Sequence, residues 1–378
     1  MTSATSAGTQ PTFVPISEIE GEVTAQLKAV QGGGEAPIQR AHMSNLIIFC
    51  NKADLGESVA EQIPAIAALH PARVLLLVGE QASGESEASA CVQVRTQAAE
   101  DHRLVCWEQI TVRAKGAAVD RLPFTVRELL IGDLPTNLWW AAPVPPPFAG
   151  HFLYDLSEHV QQIIYDSQGW LEPARGVAAT ASWLVKFQRG PLEGQYRVAS
   201  DLSWRRLKYW RRILAQAFDP STAPGALQSI SEIYIEHGPH AVTQAWQVVS
   251  WLASRLHWRV QAGKVQPNVE ISWQAAAPNG TLRIRIHRLP EGPPEVRRIR
   301  VACSVSGKSA AFTIMVQDER RLAIFPEGSD GSSRTMTIHP QTVPEMVGRQ
   351  LSDREPDPVF RESMAVAQIF AQSLMSGE

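Results

Sequence analysis

The sequence predicts an α/β amino-terminal domain with a mixed sheet, followed by an α+β carboxy-terminal domain with an antiparallel sheet flanked by helices. Three observations carry this. Apolar strand-like runs alternate with helical periodicity as far as Asp166, and the hydrophobic period changes to two from Val269 onward. The 378 residues, 44% apolar and 19% charged, suffice for two cores at roughly 100 to 200 residues per domain. The units read from this are a disordered lead-in over 1–16, an α/β domain over 17–175 and an α+β domain over 176–378.

Ser17 and Glu20 have capping-box spacing ahead of Ile19, Val23, Leu27 and Val30, which recur at helical intervals until Gly32, Gly33 and Gly34. NLIIFCN, Asn45 to Asn51, reads as a strand, and Ser58 to Leu69 as a helix closed by His70 and Pro71. RVLLLV, Arg73 to Val78, is apolar on both faces, as in a central strand covered by helices. Ala90 to Arg95 and Leu104 to Val112 are further strands, and Pro123 to Leu130 is an amphipathic helix. Asn137 to Ala141 and Gln162 to Asp166 complete the alternation, separated by the turn-rich PVPPPFAG and a short helix.

Gly169 to Gly176 marks the boundary. Beyond it, DLSWRRLKYWRRILAQAFDP, Asp201 to Pro220, is expected as one helix. Leu207, Trp210, Leu214 and Phe218 share one face with Trp204 at its margin, while Arg205, Lys208 and Arg212 line another. A strand over Ser229 to Ile235 leads to a helix carrying Val242, Ala245, Trp246, Val249, Leu252, Ala253 and Leu256. VEISW, LRIRIHRL, VRRIRVACSV, AAFTIMVQ, RLAIFPE and RTMTIHP then alternate between turn residues, the mark of an antiparallel meander. Within it Leu282, Ile284 and Ile286 face one way and Arg283, Arg285 and His287 the other, so one side of the sheet is wet. A last helix carries Val366, Ile369, Phe370 and Leu374.

Composition excludes several function classes. Lys and Arg number 35 against 38 Asp and Glu, a net charge of −3, whereas a wholesale nucleic-acid binder carries a basic excess. The polar start MTSATSAGTQPTF has no secretory pattern, and no apolar run approaches the ~20 residues of a membrane span, so a cytoplasmic protein is expected. Cys50, Cys91, Cys106 and Cys303 form no CxxC pair and read as buried thiols.

Catalytic signatures are missing. In SVSGKS, Gly307, Lys308 and Ser309 end a GxxxxGK[ST] spacing, but Ala302 replaces the first glycine and the segment joins two strands, so it reads as a hairpin turn. GxGxxG, GxSxG and HExxH do not occur. His237 and His240 in HGPH flank a helix-entry turn without a ligand cluster. Asp155, Glu158 and His159 share one short helix at a spacing ordinary for a solvated face, with acid/base chemistry as the rival reading. No catalytic residue, metal or cofactor is expected. Eleven tryptophans, and only seven lysines among the 35 basic residues, favour an interaction protein instead.

HPARVLLL (His70 to Leu77), DLPTNLWW (Asp133 to Trp140), IIYDSQGW (Ile163 to Trp170) and the DLSWRRLKYWRRILAQAFDP segment occur in order and at a spacing that resembles the glucose-6-phosphate dehydrogenase assembly proteins, known as OpcA. The resemblance covers residues 17 to 375. It implies a non-catalytic partner that binds glucose-6-phosphate dehydrogenase, favours its active oligomer and raises its substrate response at the entry to the oxidative pentose phosphate pathway. Redox control through carboxy-terminal cysteines, as in some relatives, is not matched, because Cys303 stands alone in the second half.

Arg205, Lys208 and Arg212 are the basic stripe open to an acidic partner, and Trp139 and Trp140, on opposite faces of a strand, are further interface candidates. Trp204 and Trp210 are expected to anchor their own helix. His70, Arg73, Asp133 and Asp166 match family motif positions of unknown role. The rival reading is a sugar-phosphate sensor or enzyme at the sheet edge with Arg73, Asp133 and Asp166. A third, single-strand nucleic-acid binding by Trp and Arg, is disfavoured by net charge.

Overall fold

The structure, a computed structural model, describes residues 7–32, 38–40, 42–81, 84–98, 104–189, 196–278, 280–328 and 332–375. The apolar runs of the first half assemble one sheet of ten strands. In chain order these are β1 (Ala7–Gly8), β2 (Thr12–Val14), β3 (Ile38–Arg40), β4 (Ser44–Cys50), β5 (Ala72–Glu80), β6 (Glu87–Ala98), β7 (Leu104–Lys115), β8 (Thr136–Trp140), β9 (Gln162–Tyr165) and β10 (Val198–Asp201). They lie in the order β1-β6-β7-β5-β4-β8-β9-β10, with β2 also on β6 and β3 on β7. From β7 to β10 every neighbouring pair is parallel. This is the 3-2-1-4-5-6 order of a doubly wound sheet, with its switch point between β4 and β8.

Both faces of this centre are covered, which is why Leu46 to Cys50 of β4 and Val74 to Val78 of β5 are apolar without alternation. The helices are α1 (Ile19–Gly32), α2 (Ala53–Leu69), α3 (Leu122–Leu129), α4 (His151–Leu156), α5 (Pro173–Phe187), α6 (Leu202–Arg206), α7 (Lys208–Ala217), α8 (Val242–Leu256), α9 (Val343–Ser352) and α10 (Pro358–Met375). Ile47, Phe49, Leu75 and Leu77 pack with α1, α3 and α4, while Leu46, Ile48, Val74 and Leu76 pack with Val59, Ile63 and Ile66 of α2 and Met346, Val347 and Leu351 of α9.

The second sheet follows the order β12-β13-β14-β11-β15-β16-β17-β18. Its strands are β11 (Glu232–His237), β12 (Arg259–Gln266), β13 (Glu270–Ala277), β14 (Gly280–Arg288), β15 (Val296–Val305), β16 (Lys308–Asp318), β17 (Arg321–Glu327) and β18 (Arg334–Thr337). The two-residue period falls as expected, with Leu282, Ile284 and Ile286 buried. Ser306 and Gly307, at φ 51 and 77, form the hairpin turn predicted for SVSGKS.

Several expectations are corrected. Residues 7–14, read as a disordered lead-in, supply β1 and β2, which pair with β6; strands of two and three residues are too short to show a period. Ser17 lies in a 3₁₀ turn at Ile16–Glu18, and Glu20 pairs with Arg73 instead of closing a capping box. The boundary at 175 leaves β10 on the wrong side, since it extends the first sheet, and α9 also returns to that sheet. The single helix over 201–220 is two, because Asp201 ends β10 and the chain turns at Leu207. The antiparallel meander is interrupted by β11, parallel to β14 and antiparallel to β15.

Candidate functional site

Of the family-motif positions, Asp166 lies where the edge of the first sheet meets the second unit, beside Asp201 at the start of the DLSWRR segment. Asp166 follows the carboxyl end of β9, and Asp201 ends the adjacent β10 and caps α6. Asp201 Oδ1 accepts from the backbone N–H of Ser167 at 3.1 Å and of Ser203 at 2.9 Å, and its Oδ2 accepts from Gln247 Nε2 of α8 at 2.6 Å. Burial, with the Asp166 carboxylate beside it, pushes the Asp201 carboxyl up to about 6 against the pull of those N–H groups. Asp166 receives both Nη atoms of Arg206, at 2.8 and 2.7 Å, and the Ser203 hydroxyl at 3.0 Å. A planar guanidinium matches a carboxylate in this two-bond fashion.

The second unit grips the same segment. Thr243 Oγ1 donates to Ser167 O at 2.9 Å, and Gly169 N–H donates to His240 O at 2.9 Å. HGPH is thus a backbone clasp: a Cβ on Gly238 would lie 1.8 Å from Pro293 O, so only glycine fits there. Among the described residues no group of three His, Cys, Asp or Glu side chains could hold a metal.

Beside this junction opens a cleft of about 350 Å³. Gln168, Arg205, Arg206, Gln244, Asp318 and Arg349 are among its walls, and Gln244 Nε2 donates to Gln168 Oε1 at 3.1 Å. Arg205 is committed, bonding Gln350 Oε1 and lying 3.4 Å from Asp353 Oδ2. Lys208 is exposed at the cleft, and Arg212 is exposed one turn further along α7. The predicted stripe is therefore divided, with Lys208 and Arg212 outward and Arg205 tied to the end of α9.

Trp139 and Trp140 are corrected. Both are buried, at 3% and 1% exposure, so neither presents a partner surface. A strand inside a doubly covered sheet buries both faces: Trp140 packs on Phe49, which in turn packs on Phe152, and Trp139 lies on the α2–α9 side. Trp204 and Trp210 are buried as expected; Trp204 Nε1 donates to Asp357 Oδ2 at 2.8 Å, and the Arg211 guanidinium lies 3.6 Å from its ring centroid.

The family-motif residues do not form one ligand site. Arg73 and Asp133 lie at the amino ends of β5 and β8, and Asp166 lies beyond the carboxyl end of β9, at opposite edges of the parallel strands. The sugar-phosphate reading required them together. Arg73 is buried and pairs with Glu20, whereas Asp133 is exposed. His70 sits between the Ser44 hydroxyl at 3.0 Å and the Ser352 hydroxyl at 3.2 Å, fastening α9 to the first sheet. Burial and the Arg354 charge lower it to about 4, which makes it a poor base for either serine. Of Asp155, Glu158 and His159, only Asp155 lies on α4; Glu158 and His159 follow it in a turn, where Glu158 pairs with Arg127 and Arg197 bonds its carbonyl.

The switch point does not suit a dinucleotide. Gly56 keeps the close-packing role of the last fingerprint glycine, since a Cβ there would lie 2.5 Å from Val78 Cγ2. At the fingerprint spacing the two earlier positions are Asn51 and Ala53, and Asp54 puts a negative charge in the first turn of α2, where pyrophosphate would need glycines and a positive field.

Two family profiles match the chain, one described as the glucose-6-phosphate dehydrogenase subunit N-terminal domain over residues 63–182 and one as its C-terminal domain over 197–364. The chain belongs to the OpcA family. The seam between the two matched regions falls between α5 and β10. Curated OpcA relatives, provisionally named OxPP cycle proteins, include one from Synechocystis, 27% identical over 85% of this chain and 67% of its own. Another, from Nostoc punctiforme, is 33% identical over 51% of this chain, which spans only 40% of that protein. Among solved structures an oxidoreductase from Sinorhizobium meliloti has the same fold, with a TM-score of 0.51 and 11% identity over 89% of this chain and 97% of its own.

Sequence reasoning missed Arg206, although it stands beside Arg205, and missed Gln247 on α8. Their signal was a second arginine in WRR and, on α8, a polar row of Thr243, Gln244, Gln247 and Ser250 at helical spacing.

Proposed function

We propose that this chain is a non-catalytic partner of glucose-6-phosphate dehydrogenase. It binds the dehydrogenase in the cytoplasm, favours its active oligomer and raises its substrate response, supporting the oxidative pentose phosphate pathway. The observation that carries the reading is the ordered match of both halves to profiles described for a subunit of that dehydrogenase. The geometry supports binding over turnover, since the conspicuous polar groups at the junction are consumed in holding the two units together. Lys208 and Arg212, exposed and without an ion pair among the described residues, are the contact points for an acidic patch on the dehydrogenase.

An activator shifts its target only by its preference for the active conformer, about 1.4 kcal/mol for each factor of ten. Mixing the chain with the dehydrogenase of its own organism, and following light scattering and NADPH formation on the same samples, tests this. A heavier complex with a lower apparent substrate constant is expected. No complex and no kinetic change, with both proteins folded, would overturn the reading.

A further inference from the structure

The second sheet is covered on one side only. α7, α8 and α10 pack against the face carrying Trp273, Leu282, Ile284, Ile286 and Phe312. No described helix packs on the other face.

That face is a set of charged columns. β11 presents Glu232, Tyr234 and Glu236; β15, on one side, presents Arg298 and Arg300; β14, on the other, presents Arg283, Arg285 and His287. The ion pairs across them are solvent-accessible: Arg298–Glu236 spans 3.8 Å with the arginine side chain 38% exposed, and Arg285–Glu232 spans 3.1 Å with the arginine 37% exposed. Beyond β15 the face turns apolar, with Met315 38% and Phe325 39% exposed.

We propose that this face is the interface between two copies of the chain, related by a two-fold axis parallel to the strands and passing between β11 and β15. The register decides the axis. Glu236 is level with Arg298 and Tyr234 with Arg300. Rotation about that axis lays β11 of one copy over β15 of the other at the same level, so Glu236 meets Arg298 and Tyr234 meets Arg300 of the second copy, twice over. His287, level with Glu236, then lies over Met315 of the second copy, and Arg285 over Thr313. A two-fold axis across the strands would put β11 on β11, acid against acid. An isologous interface requires such self-complementarity, and like charges facing each other are strongly disfavoured.

The area is sufficient. Eight strands at ~4.8 Å spacing, each about seven residues long, give a footprint of roughly 800 Å² per copy, the share each partner contributes to a stable interface. Aligned sheets packed face to face also accommodate their own twist. The proposal does not rest on the dehydrogenase reading, and leaves Lys208 and Arg212, on the helical side, free for that partner.

Sedimentation velocity of the full chain from about 1 to 100 µM tests it. A rise from 41.5 kDa to twice that mass, weakened by salt, is expected. E236R should raise the dimer dissociation constant about a hundredfold, and the swap E236R with R298E should restore it, since both the internal and the crossed pairs return. Thermal melting reports whether E236R folds; if it does not, M315R, at an exposed position level with Arg298 and opposite His287 of the second copy, serves instead with the same expected loss. A monomer at every concentration, or a dimer indifferent to the folded variants, would overturn the proposal. So would a monomeric wild type whose complex with the dehydrogenase is abolished by E236R, because the face would then belong to that protein.

Discussion

Asp201 Oδ2 lies 2.6 Å from Gln247 Nε2, joining a buried carboxylate at the last strand of the first sheet to α8 of the second unit. Gln247 Oε1 has no partner among the described residues. The Asp201 carboxyl is raised to about 6 from 3.8 by burial and by Asp166. An acid raised by folding contributes stability that is complete below its unfolded value and is lost as pH rises through its folded value. Stability should therefore fall between about pH 4 and pH 6, by an amount on the order of 2–3 kcal/mol. Asp201→Asn keeps an acceptor for the two N–H groups and offers an N–H to Gln247 Oε1. It should melt higher than wild type at pH 8 and the same at pH 4, by calorimetry; an equal difference at both would refute the assignment.

Arg206→Lys should expose the worth of the two-bond contact to Asp166. Lysine keeps the charge and loses the fork, at a cost of about 1–2 kcal/mol in urea unfolding. A change below the error of the midpoint would mean that the pair contributes nothing.

Gly238→Ala should cost about 2–4 kcal/mol, because the clash is with backbone, the Pro293 carbonyl. Gly132→Ala, where a Cβ meets nothing within 4 Å, is the control and should change stability by less than about 0.5 kcal/mol.

Lys208→Glu with Arg212→Glu should raise the amount of chain needed for half-activation of the dehydrogenase about tenfold or more. Both side chains are exposed, so the melting temperature should stay near wild type. Unchanged activation would move the contact elsewhere.

Native thiol labelling at pH 7.5 should be slow. Burial pushes Cys50 up to about 12 and Cys303 up to about 11, and raises Cys91 and Cys106 as well; the thiolate is the reactive form. All four should react rapidly in urea. A fast native thiol would reopen redox control.

The sequence was most legible where one segment repeats one period. β4, β5 and the strands from β13 to β18 were readable as strands for that reason. β12 was missed because RVQAGKVQ is an exposed edge strand with little apolar contrast. The capping-box rule was spent on Ser17, whereas the box forms at Thr342 and Glu345, opening the unread α9. The site was less legible, because its logic is long-range: nothing local to Trp139 or Trp140 reveals that helices cover both sides of β8, and nothing local to Arg73 and Asp166 reveals that they lie at opposite strand ends.

α9 packs on the first sheet beside α2, though it follows the last strand of that sheet by the whole of the second one. During synthesis, at about 5–20 residues per second, the ribosome needs roughly eight to thirty seconds to travel from β10 to the end of α9. For that interval the groove awaiting Met346, Val347 and Leu351 stays open on the nascent chain. Vectorial folding of the first half therefore finishes only after the second half has emerged, and a truncation before Thr342 leaves both halves incomplete.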